Sequence, residues 1–420
     1  MAKTQRRYRR GRRKRRWSIQ KKLLVFFVVI IATLLTSGII YASSKLTKLE
    51  INKLDPEKLS ISDEVVHEKG YLNVALFGID SRDGTLGEGN RSDTIMIASL
   101  NKETGDVKLV SIYRDTLLEM SDGSLNKANA AYAFGGPEEA VAMINKNLDM
   151  NIEKYVSVNF NALVDVVDAL GGIEIGMTEA EAIHMNNYAV ETAQVTGREY
   201  TRVEPAYNTY NLNGVQAVSY ARIRYEGNGD FQRSERQRLV IEKILEKAKN
   251  ANLSALNKII DEVFPQVSTN FTLTEMLDYG KSVGDYSINE TSGFPADNTT
   301  DLLNEVGSVV IPNTLASNVT AVHSFLFPET EYLPSTTLSA IEAKISAKAG
   351  DRASDSSAFS DDDVDINDYW NEAGNYEEPQ IEYPEVPETD PVETPPVNPP
   401  ETGGNPPVEE NPAPGEGTSQ

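Results

Sequence analysis

Cysteine is absent from the 420 residues, which excludes disulfides, thiol catalysis, zinc–thiolate sites and iron–sulfur clusters. Only three histidines occur, His67, His184 and His323. None lies near another in sequence, so little is left for a Ser-His-Asp triad or a histidine metal cage. Basic charge is also scarce. The 40 Lys and Arg against 63 Asp and Glu give a net charge of -23, which excludes nucleic-acid binding through the bulk charge of the chain. Any chemistry must therefore be carried by carboxylates and arginine.

The charge that is present is unevenly spread. Met1 to Lys22 holds 12 Lys and Arg and no acid, whereas Asp351 to Gln420 holds 19 acids against Arg352 alone. Directly after the basic segment, Leu23 to Tyr41 runs 19 residues without a charge, close to the roughly 20 that cross a bilayer as a helix. The run is long for the apolar core of a cleaved leader. Residues 23–42 are read as a retained signal anchor, with Tyr41-Ala42-Ser43-Ser44 the one place where cleavage stays open. The basic residues then hold the N-terminus in the cytoplasm and place everything after the anchor outside, giving a single-pass protein of the cell membrane. In this reading Arg6 to Arg16 set the orientation and attract anionic membrane lipid. A nuclear or nucleic-acid patch is the sharper alternative; the span that follows disfavours it, and no nucleic-acid partner is expected.

Residues 43–69 are polar and aperiodic, as in a short stalk. Residues 351–420 hold 12 of the 20 Pro among Glu, Asp, Asn and Gly, a composition that cannot bury enough apolar surface to offset chain entropy; a disordered acidic Pro-rich tail is expected. Between them, 70–350 reads as one α/β domain. Strands are expected at Leu72 to Ile79, Thr94 to Leu100 and Val107 to Tyr113, with a hairpin turn at Lys102-Glu103-Thr104-Gly105. Tyr155 to Phe160 and Ile173 to Ile175 are expected to complete the sheet. Helical periodicity marks Asn126 to Leu148, Asn161 to Leu170, Gly214 to Tyr220 and Phe231 to Asn250, and more weakly Leu273 to Val283 and Leu338 to Lys348.

If the first three strands form a meander, Asp80 ends the first, Asp93 sits just before the second, and the third returns Arg114 to the same end of the sheet. Two carboxylates on loops, without His or Cys, suit a hard cation such as Mg²⁺, which takes one or two protein carboxylates plus phosphate oxygens. Arginine supplies a fixed fork of donors for those phosphates. Beyond the N-terminal segment only 11 Arg occur. Eight of them fall in four short segments: Arg82 and Arg91, Arg114, Arg222 and Arg224, and Arg233, Arg236 and Arg238. Extended geometry at Ala221 to Tyr225 would put Arg222 and Arg224 on one face; pairing with Glu226 and Asp230 is the plainer alternative. Arg233 and Gln237 continue the apolar stripe of Val240 and Ile244, and an Arg on the inner side of a helix start calls for an anion. Arg236 and Arg238 read as solvated or paired with Glu235 and Glu242. Asp115 reads as a turn cap, Lys127 and Asn129 as orienting the first long helix, Tyr132 and Phe134 as core, and His184 as surface.

Eight motifs then stand in order over about 180 residues: Phe77-Gly78-Ile79-Asp80-Ser81-Arg82, Arg91-Ser92-Asp93-Thr94, Val110-Ser111-Ile112-Tyr113-Arg114-Asp115-Thr116, Asn126-Lys127-Ala128-Asn129 through Gly136, Val167-Asp168-Ala169-Leu170-Gly171-Gly172, Leu212-Asn213-Gly214, Tyr220-Ala221-Arg222-Ile223-Arg224, and Gly229-Asp230-Phe231-Gln232-Arg233 with Arg236-Gln237. In these the chain resembles the LytR-CpsA-Psr family of cell-envelope proteins. Tyr113 departs from it where Pro is frequent, and Asn90 where Gly is common. The resemblance implies an α-β-α fold with a mixed central sheet flanked by helices. It implies a phosphotransferase that takes a glycopolymer from a polyprenyl-pyrophosphate carrier and joins it to peptidoglycan through a phosphodiester. It further implies that Asp80 and Asp93 hold Mg²⁺. The pyrophosphate falls to Arg91, Arg114, Arg222, Arg224 and Arg233, with Gln237 nearby and Arg82 in the same candidate set. The base that activates the acceptor hydroxyl is left between Asp93 and Asp230. Competing functions are a polyprenyl-phosphate carrier, a pyrophosphatase with water as acceptor, and an envelope-linked transcriptional regulator. The last is disfavoured because 22 cytoplasmic residues leave no room for a helix-turn-helix.

Overall fold

The structure, a computed structural model, describes residues 50–64, 69–81, 84–224 and 230–350. The basic segment 1–22, the expected anchor 23–42 and the acidic tail 351–420 lie outside the described residues. Among the described residues no helix is long and apolar enough to cross a membrane.

The described part of the segment read as a stalk instead belongs to the domain. β1 (Glu50–Ile51) forms one edge of the main sheet, and Leu59 is 2% exposed, its carbonyl accepting from Asn145 Nδ2 at 2.9 Å. The meander forms as its Val, Ile and Leu runs require: β2 (Tyr71–Asp80), β3 (Arg91–Asn101) and β4 (Asp106–Ile112), each antiparallel to the next. Glycine is needed in the turn between the last two. Gly105 has φ 79°, and a Cβ there would lie 2.6 Å from the Asp285 carbonyl oxygen.

A helix was expected from Asn126, but β5 (Leu117–Glu119) and β6 (Leu125–Lys127) pair as a small hairpin first, so α1 (Ala130–Leu148) starts only after it. β7 (Lys154–Asn159) joins β2 in parallel, and its last residue caps α2 (Phe160–Ala169), Asn159 Oδ1 accepting from the Ala162 N–H at 2.9 Å. β8 (Ile173–Met177) does not complete the main sheet; it pairs with β9 (Asn208–Leu212) in a separate ladder, with the unforeseen α3 (Glu179–Thr196) between them. Next come α4 (Gly214–Arg222), α5 (Asp230–Ala248), α6 (Leu253–Lys258), β10 (Val267–Thr269), α7 (Leu273–Lys281) and β11 (Ser287–Phe294). The ladder β12 (Asn298–Leu303) and β13 (Gly307–Pro312), then α8 (Leu315–Leu326) and α9 (Thr336–Lys348), end the described chain.

The main sheet has the order β1-β10-β7-β2-β3-β4-β11 and is mixed, β1 with β10, β2 with β7 and β4 with β11 being parallel. Its two faces differ. On one, Ala75, Phe77, Ile79, Ile95, Ile97, Val110 and Ile112 are at most 2% exposed, and α1, α8 and α9 pack over them. Each such large aliphatic or aromatic side chain contributes about 1.5–3 kcal/mol by leaving water. On the other face, α2 lies against β2 and β7 while α5 lies against β4 and β11. Leu76, Gly78, Thr94, Ala98, Val156 and Val158, which are register neighbours on that face, remain only half-buried, whereas Val74, Met96 and Leu109 on the same face are buried.

Candidate active site

The site grows from an irregularity in the β2–β3 ladder. Thr94 pairs with Gly78 and Ser92 with Ile79, so Asp93 is an extra residue in a β-bulge, the device that re-aims one side chain out of a sheet. Its carboxylate meets Arg114, just past the end of β4: Arg114 Nη1 donates to both Oδ1 and Oδ2 at 3.2 Å. Arg114 Nε donates to Asp115 Oδ2 at 3.3 Å, and Lys127 Nζ lies 3.3 Å from Asp115 Oδ1. The Arg114 carbonyl accepts from the Asn129 N–H at 2.9 Å, tying the strand end to the start of α1. Asp115 is thus a brace for Arg114 rather than a turn cap alone, and Lys127 braces Asp115.

Burial pushes the Asp93 carboxyl up, but the guanidiniums of Arg114, then Arg233 and Arg224, outweigh it and hold the group below its ordinary range. Asp93 is therefore ionised at neutral pH, about a quarter of its side chain remaining open to solvent. Asp80, the exposed last residue of β2, lies across from the exposed Arg91, the first residue of β3, beside the bulge. Hard oxygen donors without His or Cys, one of them held ionised, make a pair that fits a cation completing its shell with phosphate oxygens or water. Among the described residues no group of three or more His, Asp or Glu gathers that could hold an ion by itself.

α5 supplies the other wall. Arg233 is 4% exposed and acts electrostatically on Asp93; Gln237 is half-buried one turn further on. Asp230 is the first residue of α5. Arg82 lies outside the described residues. Arg222 and Arg224 are not on an extended strand: Arg222 is the last residue of α4, and the chain turns at Ile223. Glu226 lies outside the described residues, and Arg222 pairs with Glu191, its Nη2 donating to Oε2 at 2.9 Å. Its guanidinium also lies over the rings of Phe160 and Tyr188 at 5.1 and 5.7 Å. Arg224 acts on Asp93.

Two further expectations fail. Arg236 and Arg238 are each 6% exposed instead of solvated, and Arg236 donates to Glu181 Oε1 (3.0 Å), the Ile223 carbonyl (3.2 Å) and Gln232 Oε1 (3.3 Å). Phe134 is 57% exposed rather than core, whereas Tyr132 is buried, its hydroxyl donating to the Leu86 carbonyl at 2.8 Å and hydrogen-bonded with Ser157 Oγ at 2.9 Å. The partners overlooked in the sequence, Glu181 and Glu191, both lie on α3. That helix has a readable start, the capping box Thr178-Glu179-Ala180-Glu181, and a Gly197 stop.

Comparisons with known proteins show what the chain is similar to. The model of the LytR_cpsA_psr family matches residues 36–320, well over half of the chain. A polyisoprenyl-teichoic acid–peptidoglycan teichoic acid transferase, TagU of Bacillus subtilis (strain 168), is 33% identical over 271 residues, covering 62% of this chain and 81% of the relative. Biofilm regulatory protein A of Streptococcus mutans is 32% identical over 294 residues, covering 64% of this chain and 70% of the relative. Among solved structures, protein gbs0355 from Streptococcus agalactiae superposes with a TM-score of 0.53 at 27% identity, covering 64% of this chain and 90% of that one.

Proposed function

The chain belongs to the LytR_cpsA_psr family, and from that premise we propose that it transfers a glycopolymer from a polyprenyl-pyrophosphate carrier to peptidoglycan, anchored by residues 23–42 with its domain on the outer face of the cell membrane. One observation carries the reading. A patch of guanidiniums around an ionised carboxylate stands at the end of a sheet face whose apolar floor is half-buried. A ligand with a phosphate head and an apolar chain matches that pairing of surfaces, since the chain can leave water on Leu76, Val156 and Val158 while the head meets arginine.

In the reaction, the acceptor hydroxyl oxygen bonds to the phosphorus that carries the polymer. The bond from that phosphorus to the bridging oxygen breaks, and polyprenyl monophosphate leaves. The result is a phosphodiester between polymer and peptidoglycan. Arg114, held in place by Asp93 and Asp115, binds the phosphate oxygens on which charge accumulates, with Arg91, Arg224 and Arg233 beside it and Arg82, Arg222 and Gln237 in the wider set. Mg²⁺ held by Asp80 and Asp93 would add charge neutralisation there. The hydroxyl proton needs an acceptor. Asp93, ionised and held below its usual range, is a weak base, which favours Asp230 for that step.

The test uses the full-length protein in detergent with a polyprenyl-pyrophosphate glycan and peptidoglycan, with Mg²⁺ or EDTA. Transfer should require the metal, and Arg114→Ala should lose about 3 kcal/mol of transition-state stabilisation, some hundredfold or more in rate. Prenyl-phosphate binding without turnover across several donors would favour a carrier instead. Release of polymer phosphate to water alone would favour a pyrophosphatase.

A further inference from the structure

α5 presents two buried guanidiniums whose surroundings are unlike. Arg236 has a carboxylate, Glu181, and two further acceptors. Arg238, equally buried at 6% exposed, has Nε and Nη1 within the protein and, among the described residues, no hydrogen-bond partner for either. The titratable groups that act on it are Tyr113, neutral at pH 7, and Glu235, an exposed neighbour on the same helix. Guanidinium does not deprotonate to escape burial, so a buried one offset only through the exposed Glu235 carboxylate is incompletely compensated. The cost falls further if an anion arrives from outside.

The surroundings say where that anion would sit. Phe231, Ser234 and Arg238 share one stripe of α5, and Phe231 meets the Tyr113 ring edge-on with centroids 4.4 Å apart. The Tyr113 hydroxyl lies against Gly293 of β11, where no side chain would fit beside it. Tyr113 directly precedes Arg114, so its hydroxyl is carried by the neighbour of the arginine that grips Asp93.

We propose that Arg238 and the Tyr113 hydroxyl form a second anion subsite, which takes a phosphate group of the ligand beyond the one bound around Arg114. The proposal deepens the transfer reading. A donor whose polymer carries phosphodiesters has such a group close to its pyrophosphate, and a membrane phospholipid head offers the same chemistry.

The test uses full-length protein in detergent, inorganic phosphate as the probe and thermal unfolding as the readout, so it needs no transfer and its failure is separable from that of the transferase reading. In an Arg114→Ala background phosphate should still raise Tm. Adding Arg238→Met should raise the half-saturating phosphate concentration about tenfold or more. Without phosphate, Arg238→Met should melt no lower than its parent, because a buried charge that the exposed Glu235 compensates only in part has been replaced by an apolar chain. A lower Tm with an unchanged phosphate response would mark Arg238 as structural and overturn the proposal. Should Arg238→Met not fold, Tyr113→Phe keeps the ring contact and removes the hydroxyl; an unaltered phosphate response in that variant overturns it equally. Competition by a short polyol-phosphate oligomer would assign the subsite to the polymer, and competition by phosphatidylglycerol in nanodiscs to the membrane. Competition by neither would reject a ligand role.

Discussion

Ala75, Phe77 and Ile79 face α1 and are at most 1% exposed, while Leu76 and Gly78, interleaved with them in sequence, lie half-buried on the opposite face between α2 and α5. Alternation along one strand thus gives two surfaces with separate duties. The closed face holds the domain together, with Phe77 tilted against Tyr132 at 5.4 Å between ring centroids. The open face leaves part of its apolar area, at Leu76, Ala98, Val156 and Val158, half-buried. It runs from Lys154 and Glu275 at one end to Asp93 and Arg114 at the other.

Substitutions on either side should separate these duties. Phe77→Ala empties a fully packed position and should cost about 3–5 kcal/mol of stability in denaturant unfolding, with transfer per folded molecule retained. Gly78→Ala places a Cβ 2.9 Å from Thr94 Cβ and should cost about 1–3 kcal/mol, recovered in part by adding Thr94→Ala. Leu76→Ser, half-buried, should cost only about 1 kcal/mol in unfolding yet weaken binding of a short prenyl phosphate. If Leu76→Ser and Phe77→Ala proved equally destabilising, the two faces would not differ as described.

The smallest effect is electrostatic. Glu275 accepts from Lys154 Nζ and from the Thr272 N–H, and together these outweigh burial and pull its carboxyl down to about 2. Because the folded value lies below the ordinary 4.5, the stabilisation is complete above that pH and is lost as pH falls toward 2. Lys154→Met should move the Glu275 titration, followed by NMR, back toward the ordinary range. It should also flatten the acid limb of stability slightly, since the pair is partly solvated.

The meander was legible because its Val, Ile and Leu runs have the strand period and are punctuated by Gly, Asn and Asp, and connectivity alone then placed Asp93 and Arg114 at one sheet end. The partner of β8 was not legible, since a five-residue strand carries no mark of which strand it joins. α3 lacked an apolar stripe because Asn186 and Thr192 occupy buried positions where Leu or Ile would have announced it. Without α3 the partners of Arg222 and Arg236 were out of reach: Glu191 and Glu181 are distant in sequence, and long-range charge pairing leaves no local pattern. Phe134 read as core because an aromatic near a helix start usually is, and nothing local signals that its side chain is turned outward.

The bulge at Asp93 has a consequence for how this strand pair can vary. Thr94 opposite Gly78 and Ser92 opposite Ile79 are already in step, so Asp93 belongs to neither the odd nor the even set of its strand. A chain that lost this one codon would keep every other pairing and gain a regular ladder, without the ionised carboxylate that Arg114 grips. Insertion of a single residue between two paired positions is thus enough to carry a carboxylate out of a plain strand pair to an arginine, and its loss would leave a sound fold in which Arg114 has lost that partner.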